Sequence, residues 1–196
     1  MPHSLCPEIF KEPDTMTQTI TSEVNTWLEK VVIGLNLCPF AAKPARNKQI
    51  RIAVSEATDE EALLASILTE LNTLTSTSVD QLETTLVVVP KMLQDFDDYN
   101  LFLNWTDALL KQQQLEGIIQ VATFHPNYCF AGCEPEDAEN LTNRSPYPIF
   151  HLIREDSLEK VLQHYPEPEK IPENNINKVN ELTDEQVNAL FPYLQR

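Results

Sequence analysis

The chain has 196 residues and a formal net charge of −16, with thirty Asp and Glu against fourteen Lys and Arg. That length supports one well-buried domain and is short for two. The surplus of negative charge repels nucleic-acid backbones and anionic membrane surfaces, so neither is expected as a partner.

No apolar run approaches the ~20 residues that span a bilayer, and the first residues lack the apolar core of a signal peptide. Both point to the cytoplasm. Cys6, Cys38, Cys129 and Cys133 are too few for a disulfide scaffold at this length, so reduced thiols are expected.

Residues 1–18, with Pro2, Pro7 and Pro13, read as a flexible tail. From Ile20 to Leu35, apolar residues recur at helical spacing, with Thr21 or Ser22 as cap and Gly34 and Pro39 marking the end. "IRIAVS" (50–55) alternates as a strand does. "TDEE" (58–61) then reads as a capping box, opening a helix that carries Leu63, Leu64, Ile67, Leu68 and Leu71. "TLVVVP" (85–90) is a buried strand stopped by Pro90, and Asp95 caps a further helix that ends before Gly117.

"IIQVATF" (118–124) and "IFHLIR" (149–154) are the third and fourth strands. "SLEKVLQHY" (157–165) is a helix closed by Pro166, residues 166–178 read as a surface connector, and "TDEQ" (183–186) opens a last helix. Alternating strands and helices predict an α/β fold: a single layered domain over 19–196, with a three- to four-stranded, mixed, partly parallel sheet packed by helices.

One connection breaks the pattern. From His125 to Pro148, 24 residues show neither helical nor strand period. A loop this long inside a compact domain is usually functional or disordered. Its ends are poor in charge and carry Phe124, Tyr128 and Phe130, which favours an ordered loop.

The candidate chemistry lies at that loop and in "GLNLCPFAAKPARNKQIR" (34–51). From Val31 to Ser55 there is no acid, while Lys43, Arg46, Lys48 and Arg51 gather beside Cys38. Neighbouring cations lower a thiol's pKa, and the thiolate is the nucleophile, so Cys38 is a candidate reactive thiol, with His125 as a partner if the chain folds back. The more frequent fate of such a cysteine is that of a small buried hydrophobe between Leu37 and Phe40. Arg46, Lys48 and Arg51 could bind an anion together with Asn143 and Arg144, or pair with the protein's own carboxylates. His151 completes the catalytic candidates. On a regular strand it shares a face with Ile153 and points away from Arg154.

His125, Cys129 and Cys133 also have the spacing H-x3-C-x3-C, which Cys38 or His151 could complete. It lacks a CxxC knuckle, and Pro126 and Gly132 prevent a helix from aligning the three, so no metal is assigned. With three glycines in all, Walker-A and Rossmann sites are excluded, and no cofactor is called for.

"VVIGLNLCPFA" (31–41), "FHPNYCFAG" (124–132), "ENLTNRSPYPIFHLIRE" (139–155) and "IPENNI" (171–176) together resemble a bacterial and plant family, domain of unknown function 1415. The resemblance implies a single cytosolic domain, carries over no activity, and leaves Cys129 and Cys133 outside the family's pattern.

Three functional classes follow. The leading expectation is a small cytosolic enzyme acting on an anionic small molecule through Cys38, His125, His151, Arg144 and Asn143. The alternative is a non-catalytic binding module whose 125–148 loop meets a partner through Tyr128, Phe130 and Tyr147. A metal-stabilised domain is the third. Convergence of the polar residues in one pocket separates the first from the second. One geometric difficulty is visible in advance: if the first and third strands run parallel, Cys38 and His125 start at opposite ends of the sheet. The oligomeric state is not legible.

Overall fold

The computed structural model describes residues 14–195. Most of the expected tail, residues 1–13, lies outside the described residues. Helix α1 (Thr15–Trp27) starts five residues before Ile20, at Asp14, so Thr21 and Ser22 lie inside it rather than at its cap. The threonine-rich start is tolerated because the Thr19, Thr21 and Thr26 hydroxyls donate to the carbonyls four residues back. The helix continues as a π-helix, Leu28–Ile33, ending at Gly34 as expected. A Cβ at Gly34 would stand 2.3 Å from the Lys30 carbonyl oxygen, so no other residue fits this wide turn. A short helix, α2 (Ala42–Arg46), follows.

The remaining elements are β1 (Ile50–Val54), α3 (Glu60–Ser76), β2 (Thr84–Val88), α4 (Phe96–Gln112), β3 (Ile119–Phe124), β4 (Ile149–Arg154), α5 (Glu155–Leu162), α6 (Ile171–Asn180) and α7 (Asp184–Leu190). The cap of α3 is Asp59, whose carboxylate accepts from the Ala62 N–H, and not the expected Thr58. Asp95 caps α4 through the N–H groups of Asp97 and Asp98, and Thr183 and Gln186 form the expected capping box of α7. The expected connector at 166–178 is instead largely helical, in α6, which buries Val179.

The sheet order is β1-β2-β4-β3. β1 pairs parallel with β2, and β4 is antiparallel to both its neighbours. The architecture is therefore α/β with an open mixed sheet of four strands between helical layers. Strands β1 and β3 do run in the same direction, so the foreseen difficulty is real. Among the described residues, no helix is long and apolar enough to cross a membrane.

Each face of the sheet has its own core. Val87, Phe150 and Leu152 meet Leu63, Leu71, Tyr99 and Phe102 of α3 and α4. On the opposite face Leu86, Val88 and Ile149 meet Val24, Trp27 and Val31, with Val179 and Phe191. The alternation of β4 sends Arg154 to the α3 side. There its guanidinium donates to the carbonyls of Leu74, Thr77 and Leu82, closing the C-terminal end of α3.

Arg154→Ala should therefore cost about 2 kcal/mol of stability, because it strands several carbonyls that a charged donor satisfies. Urea denaturation measures this, and an unchanged midpoint would show that water replaces the guanidinium freely.

Candidate functional site

The long loop is ordered by its own polar side chains. His125 is fully buried at the end of β3. Its Nδ1 accepts the Asn127 N–H at 3.0 Å, so Nε2 carries the proton and donates to the Leu93 carbonyl at 3.0 Å. Its ring packs on Phe96 and Tyr99, each 5.2 Å away between centroids. Burial lowers its pKa. With both nitrogens engaged, His125 holds the loop and has no free atom for a substrate or for Cys38.

Asn143 donates from its side chain to the Thr123 carbonyl, and its own carbonyl accepts the His125 N–H. Arg144 donates to the carbonyls of Tyr128 and Pro135. Its own carbonyl receives the Trp27 indole N–H at 3.0 Å and the Tyr193 hydroxyl at 3.3 Å. These two residues, expected to grip an anion, spend donors on the backbone. Asn140, fully buried, accepts from the Phe130 N–H and donates to the Glu134 carbonyl. Sequence reasoning missed it, and an asparagine amid acids carries no signal of that role.

The loop's aromatic residues also face inward. Tyr128 packs on Phe96 at 4.9 Å, Phe130 sets its edge to Tyr128 at 4.9 Å, and the Tyr147 hydroxyl donates to Glu23. Cys129 Sγ donates to the Cys133 carbonyl, and Cys133 Sγ to the Glu139 carboxylate. Among the described residues no group of His, Cys, Asp and Glu is arranged to hold a metal ion.

Cys38 and His151 belong to the other sheet face from His125. The Cys38 turn packs into the α1 core, where Asn175 of α6 donates to the Leu37 carbonyl at 2.7 Å. Phe40 meets Tyr165, which follows α5, at 5.2 Å. Burial pushes the Cys38 thiol up, outweighing the N–H groups of Phe40 and Ala41 that pull it down. The direction agrees with the small buried hydrophobe and not with the cation-tuned thiolate.

His151 shares its strand face with Ile149 and Ile153, opposite Leu86 on β2 and Ala122 on β3. Thr84 Oγ1 lies 2.7 Å from His151 Nε2 and donates its one hydrogen to the Leu152 carbonyl at 2.6 Å. Nε2 must therefore donate to Thr84, which leaves the Nδ1 lone pair without a partner among the described residues. Surrounding protein lowers the ring's pKa to about 4, although His151 and Ile153, on an inner strand, both keep accessible surface.

Arg51 is committed to Glu70, with Nε to Oε2 at 2.7 Å and a second bond at 3.1 Å. Lys43, Arg46 and Lys48 form no salt bridge among the described residues. Two hollows, of about 480 and 200 Å³, lie along α1, and neither is lined by a candidate residue. The five residues expected to converge thus divide between the two sheet faces, with His151 and Cys38 on one and His125 on the other.

A family model described as Protein of unknown function (DUF1415) matches residues 19–189, and the chain belongs to that family. No curated protein and no solved structure matches the chain.

Two outcomes test this geometry. His151 has a folded pKa of about 4 against 6.5 for an ordinary histidine, so the unfolded chain binds the proton first. Its contribution is complete above the ordinary value and is lost as pH falls through that window, by about 2–3 kcal/mol. Denaturation at pH 7 and at pH 4.5 should show that loss in the native protein and a smaller one in His151→Gln. Alkylation of Cys38 in the native chain should have its pH midpoint above that of the denatured chain, and a lower midpoint would restore the thiolate.

Proposed function

We propose that the protein binds a small anionic molecule carrying a hydrogen-bond donor, on the sheet face around His151. The observation that carries this reading is the imidazole itself. Thr84 fixes one nitrogen, and the other presents a lone pair at a half-buried position without a partner among the described residues. An acceptor held rigidly at the edge of the core and open to solvent can take a ligand hydroxyl or amine in place of water.

The anionic character rests on cations that form no salt bridge among the described residues. Lys43, Arg46 and Lys48 follow directly on the Cys38 turn, which packs on this same face. In a chain of net charge −16, three neighbouring cations without a salt bridge among the described residues give a local positive field that collects anions. Cys38 and His151 are both uncharged at neutral pH, so the ligand's charge is met by these side chains and its donor by His151. Nδ1 accepts a hydrogen bond from the ligand and not its proton, since burial disfavours the charged ring, so the reading is one of binding. The partner-surface reading has weaker support, since Tyr128, Phe130 and Tyr147 are engaged within the molecule. Free thiols at Cys38, Cys129 and Cys133 are in keeping with a cytoplasmic protein.

Thermal unfolding against a panel of phosphorylated and carboxylated hydroxy and amino compounds tests the proposal. A member of the panel should raise Tm. His151→Gln should weaken its binding about tenfold, the loss of one hydrogen bond, and the triple variant Lys43→Ala, Arg46→Ala, Lys48→Ala should weaken it further. A panel without effect, or binding that survives both variants, would overturn the reading.

A further inference from the structure

A second chemically capable group sits on the long loop, away from the His151 face. Phe130 to Cys133 form a tight turn in which the Cys133 N–H donates to the Phe130 carbonyl at 3.1 Å, and Gly132 supplies the φ of +87° it needs. The turn folds Cys129 and Cys133 onto each other: Cys129 Sγ lies 3.3 Å from the Cys133 carbonyl oxygen. Both are free and half-buried, so small molecules reach them. Two further groups treat the thiols differently. The Glu139 carboxylate accepts the Cys133 S–H, and the Arg144 guanidinium is close enough to interact with charge on the Cys129 sulfur.

We infer that Cys129 and Cys133 form a dithiol that exchanges with small-molecule disulfides of the glutathione-disulfide class, closing a disulfide within the loop. This site is independent of the His151 reading. Cys129, as its thiolate, attacks one sulfur of the small disulfide. A Cys129 mixed disulfide forms, the S–S bond of the reagent breaks, and one thiolate leaves and takes up a proton. Cys133 then releases its proton to water and attacks the Cys129 sulfur, expelling the second small thiol. The protein loses two electrons and two protons, and one small disulfide becomes two thiols.

Glu139 sets the rate of the second step. The carboxylate pushes the Cys133 thiol up to about 11, which keeps the resolving thiol protonated at neutral pH and lets the mixed disulfide persist. Closure removes the hydrogen that Glu139 accepts. The neighbouring Asn140 holds Phe130 and Glu134 together, so the oxidation state bears directly on the segment that orders this part of the loop.

The experiment incubates the full chain with graded ratios of reduced to oxidised glutathione, quenches with a maleimide and maps the products by mass spectrometry. The wild type should lose the mass of two hydrogen atoms and yield a peptide linked between Cys129 and Cys133. Cys133→Ser should stop at the glutathione adduct on Cys129, and Cys129→Ser should not close. Glu139→Gln should quicken closure at neutral pH about tenfold and move its pH profile down, since one unit of thiol pKa is tenfold in thiolate. Adducts that never close in the wild type, pairing of either cysteine with Cys38 or Cys6, or a pH profile unmoved by Glu139→Gln would overturn the inference.

Discussion

A connection of 24 residues between two adjacent strands, with only a short 3-10 helix at Ala138–Thr142, carries many peptide groups that no ladder satisfies automatically. The rest of the structure depends on how the 125–148 loop meets that demand. It does so with turns of its own backbone and with side chains: His125 bonds at both nitrogens, Asn140 and Asn143 bridge backbone groups, and Arg144 reaches two carbonyls. The loop's own Arg144 carbonyl is in turn the anchor for Trp27 and Tyr193, from opposite ends of the chain. A polar residue in a long loop invites a catalytic reading, and here the same atoms are needed to let the loop fold at all.

That demand separates two histidines which look alike as residues. His125 is saturated, while His151, on a regular strand, already has its backbone in the ladder and needs only Thr84 to orient its ring. The free lone pair belongs to the histidine with less to hold together. Cations divide in a similar way. Arg51 lies on β1 with Glu70 of α3 in bidentate reach, whereas Lys43, Arg46 and Lys48 precede the strand. Charge density alone did not show which of these would be neutralised; that depends on the packing of β1 against α3.

Much of the fold was legible in the sequence, because β-branched runs and alternation are intrinsic to the strand and apolar recurrence to the helix. All four strands were placed to within a residue or two, as were the caps Asp95 and Thr183. Helix α6 escaped because "IPENNINKVN" buries only Val179, so it shows no apolar stripe. The early start of α1 escaped because its threonines are stabilised by bonds to their own helix. For the site, the sequence named His151 and Cys38, but not that they share a face, because that follows from pairing between segments distant in the chain. Between the two readings of Cys38, burial, which no local pattern records, sets the direction of the thiol's shift.

The sheet order has a consequence for synthesis. β4 is the last strand in the chain, yet it stands between β2 and β3. Until residue 154 has left the ribosome, β3 has no partner and β2 has only β1. The emerging chain therefore carries two unpaired strand edges, one of them the uncharged "IQVATF", for as long as the loop takes to be translated. Such edges invite intermolecular pairing. The helices on both faces can form first, but the layer between them is completed only by inserting a strand from the finished C-terminal third. The sheet cannot be completed before residue 154 is available, and a chain truncated within the loop would be left with a gap between β2 and β3.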